Sequence, residues 1–167
     1  MNIIVIGGGA AGLMAAGTAA EQGAQVTLLE TNEKVGRKLF ITGKGRCNVC
    51  NNCDVQEVLR NVPVNPRFLY SALGGFGPAD VMDFFENHGV ALKTERGNRV
   101  FPVSDHSSDV IRGLEREMDR LGVKVHLRTA VKKVVAKDGH FEKVILGDQT
   151  QVCADACIVA TGGLSYQ

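Results

Sequence analysis

Apolar residues recur along this chain at two different spacings. Asn2–Ile6 is a short, nearly unbroken apolar run, followed at once by glycine-rich residues 7–12 and then by small and apolar residues 13–22, which end at Gly23. A run of that length closed by a turn predicts a strand buried on both faces, and the segment behind it predicts a helix. Residues 25–30 repeat the first pattern and predict a second strand. Two strands joined by one helix through turns this short form a βαβ unit with parallel strands.

Residues 33–54 break the pattern. They are polar and carry Gly36, Gly43 and Gly45 among Arg37, Lys38, Lys44 and Arg46, which predicts a loop serving function rather than packing. Pro78 then suits a first helical turn, Val81, Phe84, Phe85 and His88 follow at helical spacing, and Gly89 is placed to stop the helix. A small helical subdomain is expected at about residues 66–88. Residues 90–95 and 99–103 predict short strands around Gly97-Asn98. A helix follows from Ser107 or Ser108, with Val110, Ile111, Leu114, Met118 and Leu121 on one face. Residues 123–127 predict another sheet strand. Residues 130–136, 141–146 and 151–154 predict an antiparallel meander turning at Asp138-Gly139 and Gly147-Asp148. Residues 156–160 close the series as a buried strand running into Thr161-Gly162-Gly163. The expected fold is α/β: a Rossmann-like domain over residues 1–167 with a parallel sheet, a small antiparallel meander and a helical insertion. The chain stops without a closing helix or strand, which leads us to expect the N-terminal portion of something longer.

Composition narrows the function classes. The chain has 167 residues, and 19 Lys and Arg against 18 Asp and Glu leave a formal charge of +1, which disfavours general nucleic-acid binding. Aromatic residues are few and Trp is absent, so a base-stacking surface is not expected. The first apolar run is too short to span a bilayer and has no basic residue before it, so we expect a cytoplasmic protein without membrane attachment. The 20 glycines exceed the average of roughly 7% without any low-complexity tract, so specific backbone positions demand them.

Gly7-Gly8-Gly9-Ala10-Ala11-Gly12 fits G-x-G-x-x-G between a strand and a helix, the context in which that pattern has a mechanism. Gly7 permits the tight turn, Gly9 lets a pyrophosphate approach the backbone, and Gly12 lets helix and strand pack closely, with the helix N-terminus facing the anion. Glu30 ends the second strand, near the expected distance of about 20 residues, where a carboxylate accepts from a ribose diol. The same charge disfavours the 2′-phosphate of NADP, leaving FAD or NAD. No Walker A pattern occurs, because Gly43-Lys44 is followed by Gly45.

With Ala16, Gly23 and Val26, this pattern resembles the FAD-binding signature of the glutathione-reductase-like superfamily. Val35-Gly36-Arg37-Lys38-Leu39 and Thr42-Gly43-Lys44-Gly45-Arg46-Cys47-Asn48 narrow the resemblance to the YhiN-like, BaiN or aminoacetone-oxidase-like flavoproteins. Glu95-Arg96-Gly97-Asn98-Arg99-Val100-Phe101-Pro102 and Ala160-Thr161-Gly162-Gly163-Leu164-Ser165-Tyr166 fit it as well. The resemblance implies bound FAD, with Glu30 on the adenosine ribose and Arg37, Lys38, Thr42, Gly43, Gly45, Arg46, Cys47 and Asn48 along the pyrophosphate toward the flavin. It also implies backbone contacts near the adenine from Val131 and a second cofactor turn at Ala160, Thr161, Gly162 and Gly163. Ala10 and Ala11 join the first turn, and Thr31 stands where relatives often carry Lys. Members of that family are longer, with an inserted substrate domain and a final FAD segment expected after Tyr166; Gln167 replaces an expected proline, and Cys50 a common Thr.

Cys47, Cys50 and Cys53 spell C-x₂-C-x₂-C, but the fourth position of a ferredoxin-type run is Glu57. With Cys153 and Cys157 they are expected to be free thiols rather than disulfides or metal ligands. His88, His106, His126 and His140 are too dispersed for a metal site. Phe68, Tyr70, Phe76, Phe84 and Phe85 are expected in the core. No side chain presents itself as a general acid or base. The reading is therefore an FAD-dependent oxidoreductase moving hydride between a small-molecule substrate and FAD, with NAD(P)H as a candidate electron donor. The alternatives are an NAD-binding module, or a dinucleotide-binding module without catalysis that associates with itself through an exposed sheet edge.

Overall fold

The computed structural model describes residues 1–163; the expectations for Leu164, Ser165, Tyr166 and Gln167 lie outside the described residues. In chain order the elements are β1 (Asn2–Ile6), α1 (Ala10–Glu21), β2 (Gln25–Leu29), α2 (Arg37–Ile41), β3 (Cys50–Asn51), α3 (Val55–Arg60), α4 (Tyr70–Gly75) and α5 (Pro78–Asn87). These are followed by β4 (Leu92–Glu95), β5 (Arg99–Pro102), α6 (Ser107–Arg120), β6 (Lys124–His126), β7 (Val131–Lys137), β8 (His140–Leu146), β9 (Gln151–Cys153) and β10 (Ala156–Val159). A single 3₁₀ turn occupies Pro66–Leu69, and Thr42–Gly45 is an irregular turn whose central Gly43 and Lys44 have left-handed backbone. The chain divides into two compact units, one formed by Met1–Leu39 with the segment from Leu114 onward, the other by Phe40–Gly113.

The first unit is the expected Rossmann-like α/β arrangement. Its sheet runs β10-β1-β2-β6, all parallel, and β10 and β6 are its outer strands among the described residues. Side chains in register share a face and alternate along each strand. Ile4, Ile6 and Leu29 therefore point one way, onto Val144 and the half-buried Phe141, Leu146 and Val152 of the antiparallel meander β7-β8-β9. Ile3, Val5, Val26 and Leu28 point the other way and are buried too. Burial on both sides is why these strands read as unbroken apolar runs, and each such side chain contributes about 1.5–3 kcal/mol. Helix α1 packs on β1 and β2 through Leu13 and Ala16, both fully buried. Its small residues allow a close approach to α6, where a Cβ on Gly17 would sit 3.0 Å from Met118 Cε.

The second unit holds the antiparallel sheet β3-β5-β4, with Val100 and Phe101 of β5 buried, and helices α3, α4 and α5. Asp54 caps α3 by accepting from the Glu57 N–H at 2.7 Å, and Asp80 accepts from the Gly77 N–H at 2.7 Å to close the start of α5 at Pro78.

Three expectations need correction. Helix α1 begins at Ala10 rather than at residue 13, because Gly9 itself serves as the N-cap and its carbonyl accepts from the Leu13 N–H at 2.9 Å. The helical region begins at Val55 rather than near residue 66, since Asp54 supplies a cap within what reads as loop. Phe68, Tyr70 and Phe76 are exposed rather than core; of that aromatic set Phe85 is buried, meeting Phe84 edge-on at 5.2 Å.

Candidate dinucleotide site

The site lies at the carboxyl ends of β1 and β2, where open α/β sheets bind ligands. Gly7 leaves β1 at φ +105, its N–H donating to the Leu29 carbonyl at 2.8 Å. A Cβ on Gly7 would lie 2.5 Å from the Ala160 carbonyl oxygen, and one on Gly12 would lie 1.8 Å from the Gly7 carbonyl oxygen. The backbone thus packs on itself where the sequence placed its tight turn, and it brings Gly7, Gly12, Ala160 and Thr161 together. At Gly9 a Cβ would meet nothing within 4 Å. The N-terminus of α1 therefore faces open space at the position where a phosphate has to approach. No side chain caps it and its first turn carries no acid, so the partial positive charge of its free N–H groups is uncompensated. Ala10 and Ala11, in that first turn, are exposed. This cradle fits a pyrophosphate.

Glu30 follows β2 and is 7% exposed. Its Oε2 accepts from the Gly8 N–H at 2.6 Å, and its Oε1 accepts from the Asn32 backbone N–H at 2.7 Å and the Asn32 Nδ2 at 2.6 Å. The backbone of Glu30 is held as well: its N–H donates to the His126 carbonyl, and the Thr129 N–H donates to its carbonyl. Val131 begins β7 two residues further on. Thr31 is exposed beside Glu30. Arg37 donates from Nη1 to Asn32 Oδ1 at 2.8 Å, and Lys38 donates from Nζ to the Gly163 carbonyl at 2.9 Å, with a Gly162 Cβ position 3.6 Å away. Lys38 so ties α2 to the second turn.

The sequence motifs include Gly8 and Val35 without assigning either a role, and Asn32 falls outside them. Gly8 fills a variable position of the motif, yet a Cβ there would meet Val35 Cγ1 at 2.8 Å and Glu30 Oε2 at 3.0 Å, and its carbonyl accepts from the Gly36 N–H. The unbroken triple Gly7-Gly8-Gly9 was the available signal.

Thr42, Gly43, Gly45, Arg46, Cys47 and Asn48 belong to the second unit. Gly43 has φ +57, and a Cβ there would lie 2.8 Å from the Asn48 backbone nitrogen and 3.0 Å from the Phe101 ring. The Cys47 N–H closes the turn onto the Thr42 carbonyl. Arg46 lies 4.0 Å over the Phe101 ring and donates to Glu95 at 2.9 and 3.2 Å and to Asp105 at 3.0 Å; Lys93 donates to Asp105 at 2.6 Å. Its guanidinium is thus engaged by two carboxylates of its own unit. Hydrogen bonding from Arg46 holds the Glu95 carboxyl below the usual carboxylate range, and Lys93, then Arg46, does the same for Asp105. A lowered carboxylate stabilises the fold above its ordinary value and loses that contribution as pH falls through its lowered one. Glu95→Gln is therefore expected to melt below the wild type near neutral pH, and the gap between them should close below about pH 4. Melting curves from pH 7 downward check this, and a gap independent of pH would contradict it.

All five cysteines are free. Burial pushes the Cys47 thiol up, and burial with Cys53 nearby pushes Cys50 up to about 11, so neither is a thiolate at neutral pH. Among the described residues no group of three or more His, Cys, Asp or Glu is placed to hold a metal ion, and no helix is long and apolar enough to cross a membrane.

The chain is 36% identical over 166 residues to the 3-dehydro-bile acid delta(4,6)-reductase of Clostridium scindens, covering 98% of this chain and 39% of that protein. It is 34% identical over 164 residues to the ribosomal RNA dihydrouridine synthase of Escherichia coli, covering 98% of this chain and 40% of that one. The chain thus spans about two fifths of the length of these relatives. Among solved structures, THI4 of Thermovibrio ammonificans superposes with a TM-score of 0.67 at 15% identity, over 96% of this chain and 56% of that one, a likeness of fold. The HI0933-like protein Rossmann domain matches residues 1–167, and the chain belongs to that family.

Proposed function

We propose that this chain is the FAD-binding part of a flavoprotein oxidoreductase that moves hydride between a small-molecule substrate and FAD. The observation that carries the reading is the joined pair of an open, uncapped α1 N-terminus at Gly9 and a buried carboxylate at Glu30, which suit the pyrophosphate and adenosine ribose of one dinucleotide. FAD is the dinucleotide of this site: the NAD reading accounts for Gly7 to Glu30 but gives no role to Thr42 to Asn48, which resemble a flavoprotein segment. When bound, FAD supplies the hydride chemistry. The chain's own residues bind and orient it. Gly7, Gly9 and Gly12 shape the turn, the first-turn N–H groups of α1 face the phosphates, Glu30 accepts from the ribose, and Lys38 steadies Thr161 to Gly163 beside them.

Relatives named for a bile-acid reductase and a ribosomal RNA dihydrouridine synthase support reductase chemistry on the whole protein. The near-neutral charge favours the small-molecule substrate; the relatives named for RNA favour RNA as the second reading.

The test is an absorption spectrum after mixing with FAD and removing the excess by gel filtration. The wild type is expected to retain flavin bands. Gly9→Arg, whose Cβ meets nothing within 4 Å and whose side chain fills the open approach, is expected to emerge colourless at unchanged secondary structure. Equal retention by both proteins would contradict the reading.

A further inference from the structure

A carboxylate offers about four acceptor positions; among the described residues three on Glu30 accept from this chain's own N–H groups, two on Oε1 and one on Oε2. Two of the three fillings come from Asn32. Its amide orientation is dictated from both ends: Arg37 only donates and so takes Oδ1, while the Glu30 carboxylate only accepts and so takes Nδ2. A flipped amide would set donor against donor and acceptor against acceptor. The backbone of this turn is fixed independently, since the Arg128 N–H donates to the Asn32 carbonyl at 2.9 Å and the Thr129 N–H to the Glu30 carbonyl at 2.8 Å. The relay Arg37–Asn32–Glu30–Gly8 is thus assembled within the chain itself.

We propose that Asn32 is a positioning residue which, anchored by Arg37, blocks Oε1 of Glu30 and leaves the carboxylate to accept a single ribose hydroxyl of the dinucleotide through Oε2. This rests on the FAD reading and deepens it. Arg37 then contributes to binding through Asn32. A carboxylate gripping both hydroxyls of a ribose needs both oxygens open, and here one is closed.

The experiment measures FAD dissociation constants by flavin fluorescence for wild type, Asn32→Ala, Arg37→Ala and the double variant, with melting curves to confirm folding. Asn32→Ala and Arg37→Ala are each expected to weaken binding about tenfold, as removal of hydrogen bonds to a charged group does. The double variant is expected to be no weaker than Asn32→Ala alone, because the two residues act as one unit. Asn32→Asp keeps the acceptor for Arg37, but its side chain sets a second carboxylate against Glu30 in place of a donor, and should bind at least as weakly as Asn32→Ala. FAD analogues lacking the 2′- or the 3′-hydroxyl of the adenosine ribose give a second readout: one should lose affinity for the wild type and the other should not. Losses that multiply in the double variant, or equal losses with both analogues, overturn the proposal while leaving the FAD reading standing. Failure of the wild type to bind FAD overturns both.

Discussion

Gly12→Ala is expected to cost at least about 3 kcal/mol, the upper end of ordinary overpacking, and to lower the melting temperature by about 6–12 °C for a chain of this size. The reason is geometric. The added methyl would sit 1.8 Å from the Gly7 carbonyl oxygen and 3.4 Å from Ala160 Cβ, and the atom in the way is backbone, which cannot rotate aside. To relieve it, α1 has to lift from β1, which opens the contacts of Leu13 and Ala16 and moves the first-turn N–H groups away from the turn. Stability and dinucleotide binding should therefore fall together. Gly17→Ala is the control: its methyl would meet the flexible end of Met118 at 3.0 Å, which can yield, so the loss should be far smaller. Thermal unfolding of the two variants side by side checks this, and similar melting temperatures would contradict the packing account.

Glu30→Gln is expected to cost about 1–3 kcal/mol of stability and to weaken dinucleotide binding at least tenfold. The glutamine is nearly isosteric, so the cavity is unchanged and only hydrogen-bond polarity alters. A carboxylate accepts at both oxygens, whereas an amide must turn an NH₂ either toward the Gly8 N–H or toward the two Asn32 donors. Each choice sets donor against donor in a buried place. Either choice removes the negative charge, and if the NH₂ faces Gly8 the position proposed for the ribose hydroxyl loses its acceptor as well. Calorimetric unfolding and a fluorescence titration measure the two losses separately. Unchanged affinity with reduced stability would assign Glu30 to the fold alone.

What the residues disclosed before folding, and what they hid, follows from how far each feature depends on neighbours distant in sequence. The βαβ start was legible because Ile3, Ile4, Val5, Val26 and Leu28 are apolar on both faces, and only a doubly covered parallel strand needs that. The meander was legible from its turns at Asp138-Gly139 and Gly147-Asp148. Gly7, Gly12 and Glu30 were readable as a motif because each meets a local backbone demand. Residues 33–54 were not, since their short helix, irregular turn and two-residue strand depend on partners such as Phe101, Val100 and Asn98 far along the chain. Asn32 escaped notice for a similar reason: an Asn after a strand reads as a turn residue, and its role appears only when Arg37 and Glu30 are seen at its two ends. Arg46 read as one of the basic residues along the pyrophosphate, and its pairing was hidden because Glu95 and Asp105, which engage it, lie 49 and 59 residues on.

The central claim is that the turn at Gly7 to Gly12 and the carboxylate of Glu30 seat one FAD. A crystal structure of the chain with FAD tests it most directly. The account predicts the pyrophosphate against the first-turn N–H groups of α1 at Gly9, and one adenosine ribose hydroxyl within hydrogen-bond distance of Glu30 Oε2 while Asn32 still holds Oε1. A dinucleotide lodged elsewhere, with the α1 N-terminus and Glu30 untouched, would contradict it.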